Sequence, residues 1–226
     1  MNSMYQQLMQ LPLFQGVSTE KITALVEKLP FHFLKFADGE RIFTAGDPCT
    51  HLKFIVSGQV RLETPFSNLR VVLSQVLVSP HVLAAEYLFG RETLYPYTAI
   101  ADGSCGILQL LKSDYIKMVN SDKVFLFNIL NYLSSGCQRS ASSAMAVRDG
   151  SVTERLATLL DTLLVPGAAD VEISYKQKDL CNLLGTQRTT LVATLDRLND
   201  EDIIEYDSGK LKLIDLPKLI QIIRNR

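Results

Sequence analysis

Hydrophobic residues recur with two different periods along the chain. Between about residues 31 and 111 they alternate with other residues in short runs, which is the period of strands with one buried face. From about residue 121 they recur every three to four positions, which predicts helices. A short helix is predicted before the strands, where Ser18 can cap a segment that places Ile22 and Leu25 on one face. The pattern as a whole predicts an α+β fold.

Many short strands separated by turn residues predict an antiparallel sandwich or barrel-like roll over roughly the first 110 residues. Leu52, Phe54 and Val56 form one alternating run, Ser57-Gly58 predicts a turn, and a second run follows, so we expect a hairpin there. The further predicted strands lie at 31–36, 40–44, 70–78, 96–101 and 104–111, with turn glycines at Gly39, Gly46, Gly103 and Gly106.

A long helix is predicted from Ser121-Asp122, a candidate N-cap, to about Val147. Apolar and small residues step along it by four and three positions in turn, which is the heptad spacing of a coiled-coil seam. The seam can pack against a second copy of the chain or against the chain's own β-roll, and the two packings are compatible; we predict self-association. The seam positions are Leu126, Leu130, Leu133, Cys137, Ser140, Ala144 and Val147.

The remaining residues predict a winged helix-turn-helix. Ser151 and Glu154 have the spacing of a capping box that opens a helix, and a short strand at 171–173 follows it. Two short helices at 178–184 and 187–199 are separated by Gly185-Thr186, the pattern of a helix-turn-helix. Two final strands flank the turn at 207–210 and predict a β-hairpin wing.

The second of these helices has the properties of a helix that enters the DNA major groove. Its leucines fall on one face, while its first turns present polar side chains that can contact base edges and phosphates. Arg188 is the candidate base reader, although a single arginine can equally be a solvated surface residue. The full set of candidate DNA-binding residues is Thr186 as N-cap, Gln187, Arg188, Thr189, Thr190, Val192, Ala193, Lys176 and Lys178.

Charge restricts this prediction to a local face. The 226 residues carry a formal net charge of −1, and the residues from 151 onward contain ten basic and twelve acidic side chains. We therefore expect weak nonspecific DNA affinity and a binding face made by Arg188, Lys176 and Lys178, with Lys210 and Lys212 of the wing as further candidates.

Composition and motifs argue against several other classes of protein. No signal peptide or membrane span is predicted, and the four dispersed cysteines fit reduced thiols, so we expect a cytoplasmic protein. Cys49 and His51 could share one face of a strand but lack two further ligands nearby, so no metal site is predicted. No nucleotide-binding glycine loop or nucleophile motif is present, and no enzymatic activity is predicted.

The order of these parts is similar to the superfamily of the cyclic-AMP receptor protein and the fumarate-nitrate reduction regulator, the Crp/Fnr superfamily. The resemblance implies a cyclic-nucleotide-binding-type β-roll at 1–120, a dimerisation helix at 121–149 and a winged helix-turn-helix at 150–226. The residues that carry it are Leu11 to Ser18, Gly39 to Phe43, Ala45 to Asp47, Ile55 to Val60 and Leu184 to Leu191.

The effector pocket departs from the superfamily pattern. Cyclic-nucleotide binders have a glutamate directly after Phe-Gly for the ribose and an arginine before Ser-Ala or Thr-Ala for the phosphate. Here Arg91 stands in the first position and Tyr97 in the second. A phosphate without its cation loses about 1.5–3 kcal/mol, so we do not expect cyclic AMP to bind. The candidate pocket residues are Gly90, Arg91, Glu92, Tyr97, Thr98 and, on the long helix, Ser140.

The recognition helix departs from the superfamily as well. The common Arg-Glu-Thr-Val-Ser-Arg becomes Arg188-Thr189-Thr190-Leu191-Val192-Ala193, which loses a cytosine acceptor and a second arginine. The cysteine cluster of the oxygen-sensing branch is also missing, and no cofactor is predicted. We predict a homodimeric, sequence-specific regulator of transcription that binds double-stranded DNA, with RNA polymerase as a further candidate partner. The alternative is an effector-sensing or protein-interaction dimer that has lost useful DNA binding.

Overall fold

The computed structural model of the protein describes residues 4–66, 69–146 and 150–224, and the side chains of 4, 5, 142–146, 223 and 224 lie outside the description. The chain forms two compact units. The first contains Met1–Leu62 and Val76–Gly136, and the second contains Glu63–Gln75 and Cys137–Arg226. The predicted domain boundaries at 120 and 149 stay a prediction.

Antiparallel strands and flanking helices make up the first unit. The helices are α1 (Met4–Gln10), α2 (Thr19–Lys28), α3 (Lys112–Ser121) and the start of α4 (Lys123–Ala146). The strands are β1 (His32–Phe36), β2 (Arg41–Phe43), β3 (His51–Pro65), β4 (Val71–Val78), β5 (His81–Leu83) and β6 (Thr98–Leu111). Strand β6 pairs with β1, β2 and β3, and β3 also pairs with β5.

The second unit is a winged helix-turn-helix with an added hairpin. The end of the β3–β4 hairpin, Glu63–Gln75, belongs to this unit, and we call these residues the hairpin tip. The other elements are α5 (Val152–Leu163), β7 (Ala169–Tyr175), α6 (Gln177–Leu183), α7 (Arg188–Asp200), β8 (Ile204–Asp207), β9 (Lys210–Leu213) and α8 (Leu216–Arg224). Strands β4, β7, β9 and β8 follow one another in the sheet of this unit.

Local signals predicted several of these elements well. Ser18 caps α2 by accepting a hydrogen bond from the backbone N–H of Lys21, and the capping box of Ser151 and Glu154 opens α5. The α+β fold class with an antiparallel roll and a C-terminal helix-turn-helix is confirmed.

The predicted turn at Ser57-Gly58 is wrong, because β3 runs through it as one strand. Gly58 has a φ of +78°, and a Cβ there would lie 2.9 Å from the Cα of Cys105 on β6. The glycine therefore allows close approach of a neighbouring strand and does not reverse the chain. Likewise β6 passes through Gly103 and Gly106, where two separate strands were predicted.

The helical region also differs from the prediction. Ser121 is the last residue of α3, a helix that the sequence pattern did not indicate, so the long helix begins at Lys123. Asp122 separates the two helices and accepts a hydrogen bond from the backbone N–H of Val124 through Oδ1, at 3.0 Å. The Asp122 side chain therefore accepts a hydrogen bond at the start of α4, as predicted, whereas Ser121 belongs to the preceding helix. No helix in the described ranges is both long and apolar enough to cross a bilayer.

Candidate functional site

Helix α7 presents a polar surface over a buried apolar face. Leu191, Leu195 and Leu198 are buried in the core of the second unit. On the opposite side the described first turns expose most of the predicted DNA-contacting side chains, with Val192 half-buried. The exposed positions are Gln187, Arg188, Thr189, Thr190 and Ala193. These side chains share one surface, so they can contact a single ligand together.

The turn before α7 corrects one prediction. Gln187, with φ −84° and ψ 157°, is the N-cap of α7, and no side chain caps the helix. Thr186 lies one residue earlier, where its backbone N–H donates to the carbonyl of Cys181 at 2.9 Å. Its role as N-cap is therefore wrong, because the turn extends one residue further. Gly185 makes this turn with a φ of +57°, which a glycine adopts without strain.

Three polar contacts fix the orientation of α7 within the second unit. The Arg197 guanidinium donates to the hydroxyl of Thr153 on α5, and the Tyr206 hydroxyl of the wing donates to Asp196 on α7. The bond to Asp196 raises the pKa of Tyr206 to about 12. Arg155 Nη1 donates to the carbonyl of Gly185 at 3.4 Å. Helix α7 is thus joined directly to α5 and to the wing, and the turn that precedes α7 makes a second contact with α5.

The cations predicted beside α7 divide into two groups. Lys176 and Lys178 are exposed at the start of α6 and form no ion pair with a described residue. On the wing, Lys210 pairs with Glu172 at 3.0 Å, and Lys212 lies opposite Glu172 and Glu205 in the sheet. The positive charge of the wing is therefore largely opposed by carboxylates. Of the α6 lysines, Lys176 interacts electrostatically with the nearby carboxylate of Asp179.

The structure adds two charged residues that the sequence did not indicate. Asp179, in the first turn of α6, is 8% exposed and accepts hydrogen bonds from Nε and from the backbone N–H of Arg70 in the hairpin tip. The pKa of Asp179 is lowered, and the main cause is the hydrogen bond from the Arg70 side chain. No local sequence signal could find this pair, because 109 residues separate its members.

The predicted effector residues differ in how far they are exposed. Tyr97 is buried, whereas Arg91 and Glu92 are exposed, and Gly90 is exposed at a φ of +104°. The hydroxyl of Thr98 accepts a hydrogen bond from the backbone N–H of Ala45 at 3.1 Å. Ser140 is exposed on the part of α4 that belongs to the second unit.

Tyr97 lies beside a stacked pair of aromatic rings. Its ring lies 5.8 Å from that of Phe43, which stacks on Tyr95 with the centroids 3.7 Å apart. Burial is the main cause that raises the pKa of Tyr97, and the nearby Glu86, Tyr132 and Tyr87 act in the same direction. The Tyr97 side chain is therefore a neutral phenol at physiological pH, without the positive charge that a phosphate needs.

Helix α4 exposes the predicted seam. The side chains of Phe125 and Ile129 are buried, while Leu126 and Leu130 are 41% and 52% exposed. Leu133 is half-buried, Cys137 is exposed, and the Ala144 side chain and all of Val147 lie outside the described residues. Phe127, which the heptad pattern did not include, is 60% exposed beside the seam. One face of the helix thus packs in the first unit and another presents apolar side chains without a described partner.

The predicted absence of a metal site stays a prediction. In the described ranges, no three His, Cys, Asp or Glu side chains are grouped closely enough to hold an ion. Cys49 is buried next to the Ala84 carbonyl, and burial raises the pKa of its thiol. His51 Nδ1 lies 2.8 Å from the Thr50 hydroxyl.

Comparisons with known proteins match both units. Residues 33–122 match the cyclic nucleotide-binding domain family, and residues 154–222 match the Crp-like helix-turn-helix domain family. Together the two matches span more than half of the chain. No curated protein sequence gave a significant match.

Solved structures share the fold. The catabolite activator protein of Thermus thermophilus is 22% identical with a TM-score of 0.52, and the match covers 95% of this chain and 99% of that one. A CooA mutant from Carboxydothermus hydrogenoformans is 19% identical with a TM-score of 0.50, over 89% of this chain and 90% of that one. The two matched domains occur in the order that the resemblance implied, and the chain belongs to the Crp/Fnr family of transcription regulators.

Proposed function

We propose that the chain acts as a homodimer that binds a specific DNA sequence through α7. The observation that carries this proposal is the exposed polar surface at Gln187, Arg188, Thr189 and Thr190, set over a buried leucine face. Arginine can donate two hydrogen bonds to a guanine, and the hydroxyl and amide groups can contact bases or phosphates. The exposed lysines of α6, Lys176 and Lys178, supply contacts with the DNA backbone beside it.

The exposed apolar surface of α4 supports the dimer. Leu126, Phe127 and Leu130 are each more than 40% exposed, on a helix whose other face is already packed. Seam positions of this kind bury their side chains when two such helices meet. A two-fold dimer places two recognition helices about 34–36 Å apart, so the binding site should be an inverted repeat with half-sites one helical turn apart.

The buried, uncharged Tyr97 supports regulation without cyclic AMP. The position that needs a cation holds a buried phenol whose ring lies near Phe43, while Arg91 is exposed to solvent. The predictions that no cofactor is held and that RNA polymerase is a partner remain expectations.

Selection from random DNA at a fixed, stated salt concentration tests the proposal. We expect an inverted repeat bound by the wild-type chain and by Arg91→Ala, an exposed arginine of the first unit, but bound weakly by Arg188→Ala. Recovery of no common sequence would overturn the proposal and favour the protein-interaction alternative. The carboxylates opposite Lys210 and Lys212 favour that alternative, because they reduce the attraction of the wing for phosphates.

A further inference from the structure

The hairpin tip is built into the unit that carries α7. Val71 and Leu73 of β4 are 0% exposed and belong to the same hydrophobic core as Leu180 of α6 and Leu191 of α7. Partly buried Phe66 and Leu69 pack against this core as well. The matched helix-turn-helix domain begins only at residue 154, so the core includes residues that lie outside that domain.

Polar contacts fix the position of the tip. Gln75 is 1% exposed, and its amide donates to the carbonyl of Leu163 at 3.1 Å and accepts from the backbone N–H of Val165 at 2.8 Å. These bonds satisfy backbone groups at the end of α5, where helix hydrogen bonding stops. At the other end of the tip, the backbone N–H of Lys176 donates to the Arg70 carbonyl at 3.0 Å. Arg70 therefore lies directly beside Lys176, where α6 begins.

The Arg70 guanidinium is held by one of its nitrogens only. Its Nε lies 3.1 Å from Oδ2 of Asp179, and the Arg70 side chain is 66% exposed. The two terminal nitrogens make no hydrogen bond with a residue that the structure describes. An arginine fixed through Nε keeps its outer N–H groups free for a second acceptor in a defined direction. A phosphate is the acceptor that suits such a planar group.

Arg70 therefore extends the cationic surface at the start of α6. Lys176 and Lys178 are exposed there, and Asp179 is the carboxylate that holds Arg70. The residues from 151 onward carry more acidic than basic side chains. Arg70 brings a cation from outside this segment to the surface, although Asp179 offsets part of its charge.

We propose that Arg70 of the hairpin tip contacts a DNA phosphate, so that the DNA-binding surface includes a residue outside the helix-turn-helix domain. This inference rests on the proposed function. Phosphate contacts carry no sequence information, so Arg70 strengthens binding to every sequence alike. Asp179 is a positioning residue that directs the guanidinium.

The salt dependence of DNA affinity tests the contact. Each lost phosphate contact should lower the slope of log K against log salt by about 0.9, or about 1.8 for a dimer. We expect Arg70→Gln to show this lower slope on both the selected site and unrelated DNA, and Arg70→Lys to retain the wild-type slope because it keeps the charge. The matched control is Arg61→Gln, whose arginine pairs with Asp102 at 3.3 Å in the first unit and should leave the slope unchanged.

A footprint on the wild-type chain gives a second readout that does not depend on how the variants fold. Phenylglyoxal modifies exposed guanidinium groups, and mass spectrometry locates the modified residues. With saturating DNA we expect protection of Arg70 and Arg188 but not of Arg61. Protection of Arg188 alone, or an unchanged slope in Arg70→Gln, overturns the Arg70 contact while the proposed function stands. Failure of the wild-type chain to bind DNA at all overturns the proposed function itself.

Discussion

The ring of Tyr97 lies 5.8 Å from the ring of Phe43, and both side chains are buried in the first unit. The resemblance to the superfamily implies that Tyr97 stands at the position where its cyclic-nucleotide binders have the phosphate-binding arginine. A neutral phenol in this position cannot replace the charge-assisted hydrogen bonds of an arginine.

We therefore expect isothermal titration calorimetry with cyclic AMP or cyclic GMP to show no binding tighter than about 1 mM. Arg91→Ala should behave as the wild type does, because Arg91 is exposed. If one nucleotide per chain binds at micromolar concentration, and if Arg91→Ala abolishes this binding, then Arg91 supplies the missing cation.

Leu130→Glu should separate the dimer into monomers. Leu130 is 52% exposed in the single chain, so a charge there costs the monomer little, whereas burial of the charge in a seam between two helices costs several kcal/mol. Sedimentation velocity at micromolar concentration measures the change. Asn131→Glu adds the same charge at an exposed position of α4 outside the heptad seam and should remain dimeric. A wild-type chain that is already monomeric would contradict the prediction.

Arg188→Ala and Lys178→Ala should differ in the kind of DNA affinity that they lose. Loss of a bidentate guanine contact should cost about 1–3 kcal/mol at one base pair and relax the preference there. Loss of a phosphate contact should weaken all sequences and lower the salt slope by about 1. Fluorescence anisotropy with the selected site and with single-base variants separates the two effects. Equal losses on every sequence for Arg188→Ala would remove it as a base reader.

Gly58→Ala should destabilise the first unit more than Gly103→Ala. Both glycines have a positive φ, +78° and +75°, so an alanine at either one is strained by about 1–2 kcal/mol. At Gly58 the new methyl group would also collide with the backbone of Ser104 and Cys105, whereas at Gly103 it would meet open space. Thermal unfolding compares the two, and equal losses would mean that β3 and β6 can move apart without cost.

The Arg70–Asp179 pair should make stability depend on pH in acid. The pKa of Asp179 is lower in the folded chain than its ordinary value of 3.8, so its contribution is complete above that value and is lost as the pH falls through the folded pKa. Wild type and Asp179→Asn should therefore differ in thermal stability by a constant amount at pH 5–7. The difference should shrink progressively as the pH falls below 3.8. A difference that persists unchanged at pH 3 would contradict the ion pair.

Sequence patterns found the elements whose signals are local. The capping box at Ser151, the leucine face of α7 and the wing turn at Gly209 each depend on residues within a few positions, so spacing was enough to predict them. The continuous strand through Gly58 and the pairing of Arg70 with Asp179 depend on neighbours far along the chain. Local spacing carries no information about such contacts, and these were the features that the sequence did not reveal.

The hairpin tip also has a consequence for the order of events during translation. Its partners in the second unit lie 88 to 109 residues later in the chain, so Val71 and Leu73 leave the ribosome well before α5 and α6 exist to cover them. Domains generally fold as units in the order of synthesis, from the N-terminus. Here the first unit can close while the hairpin tip, which belongs to the second unit, still exposes apolar side chains. The nascent chain then keeps a chaperone-accessible segment until the C-terminal helices emerge.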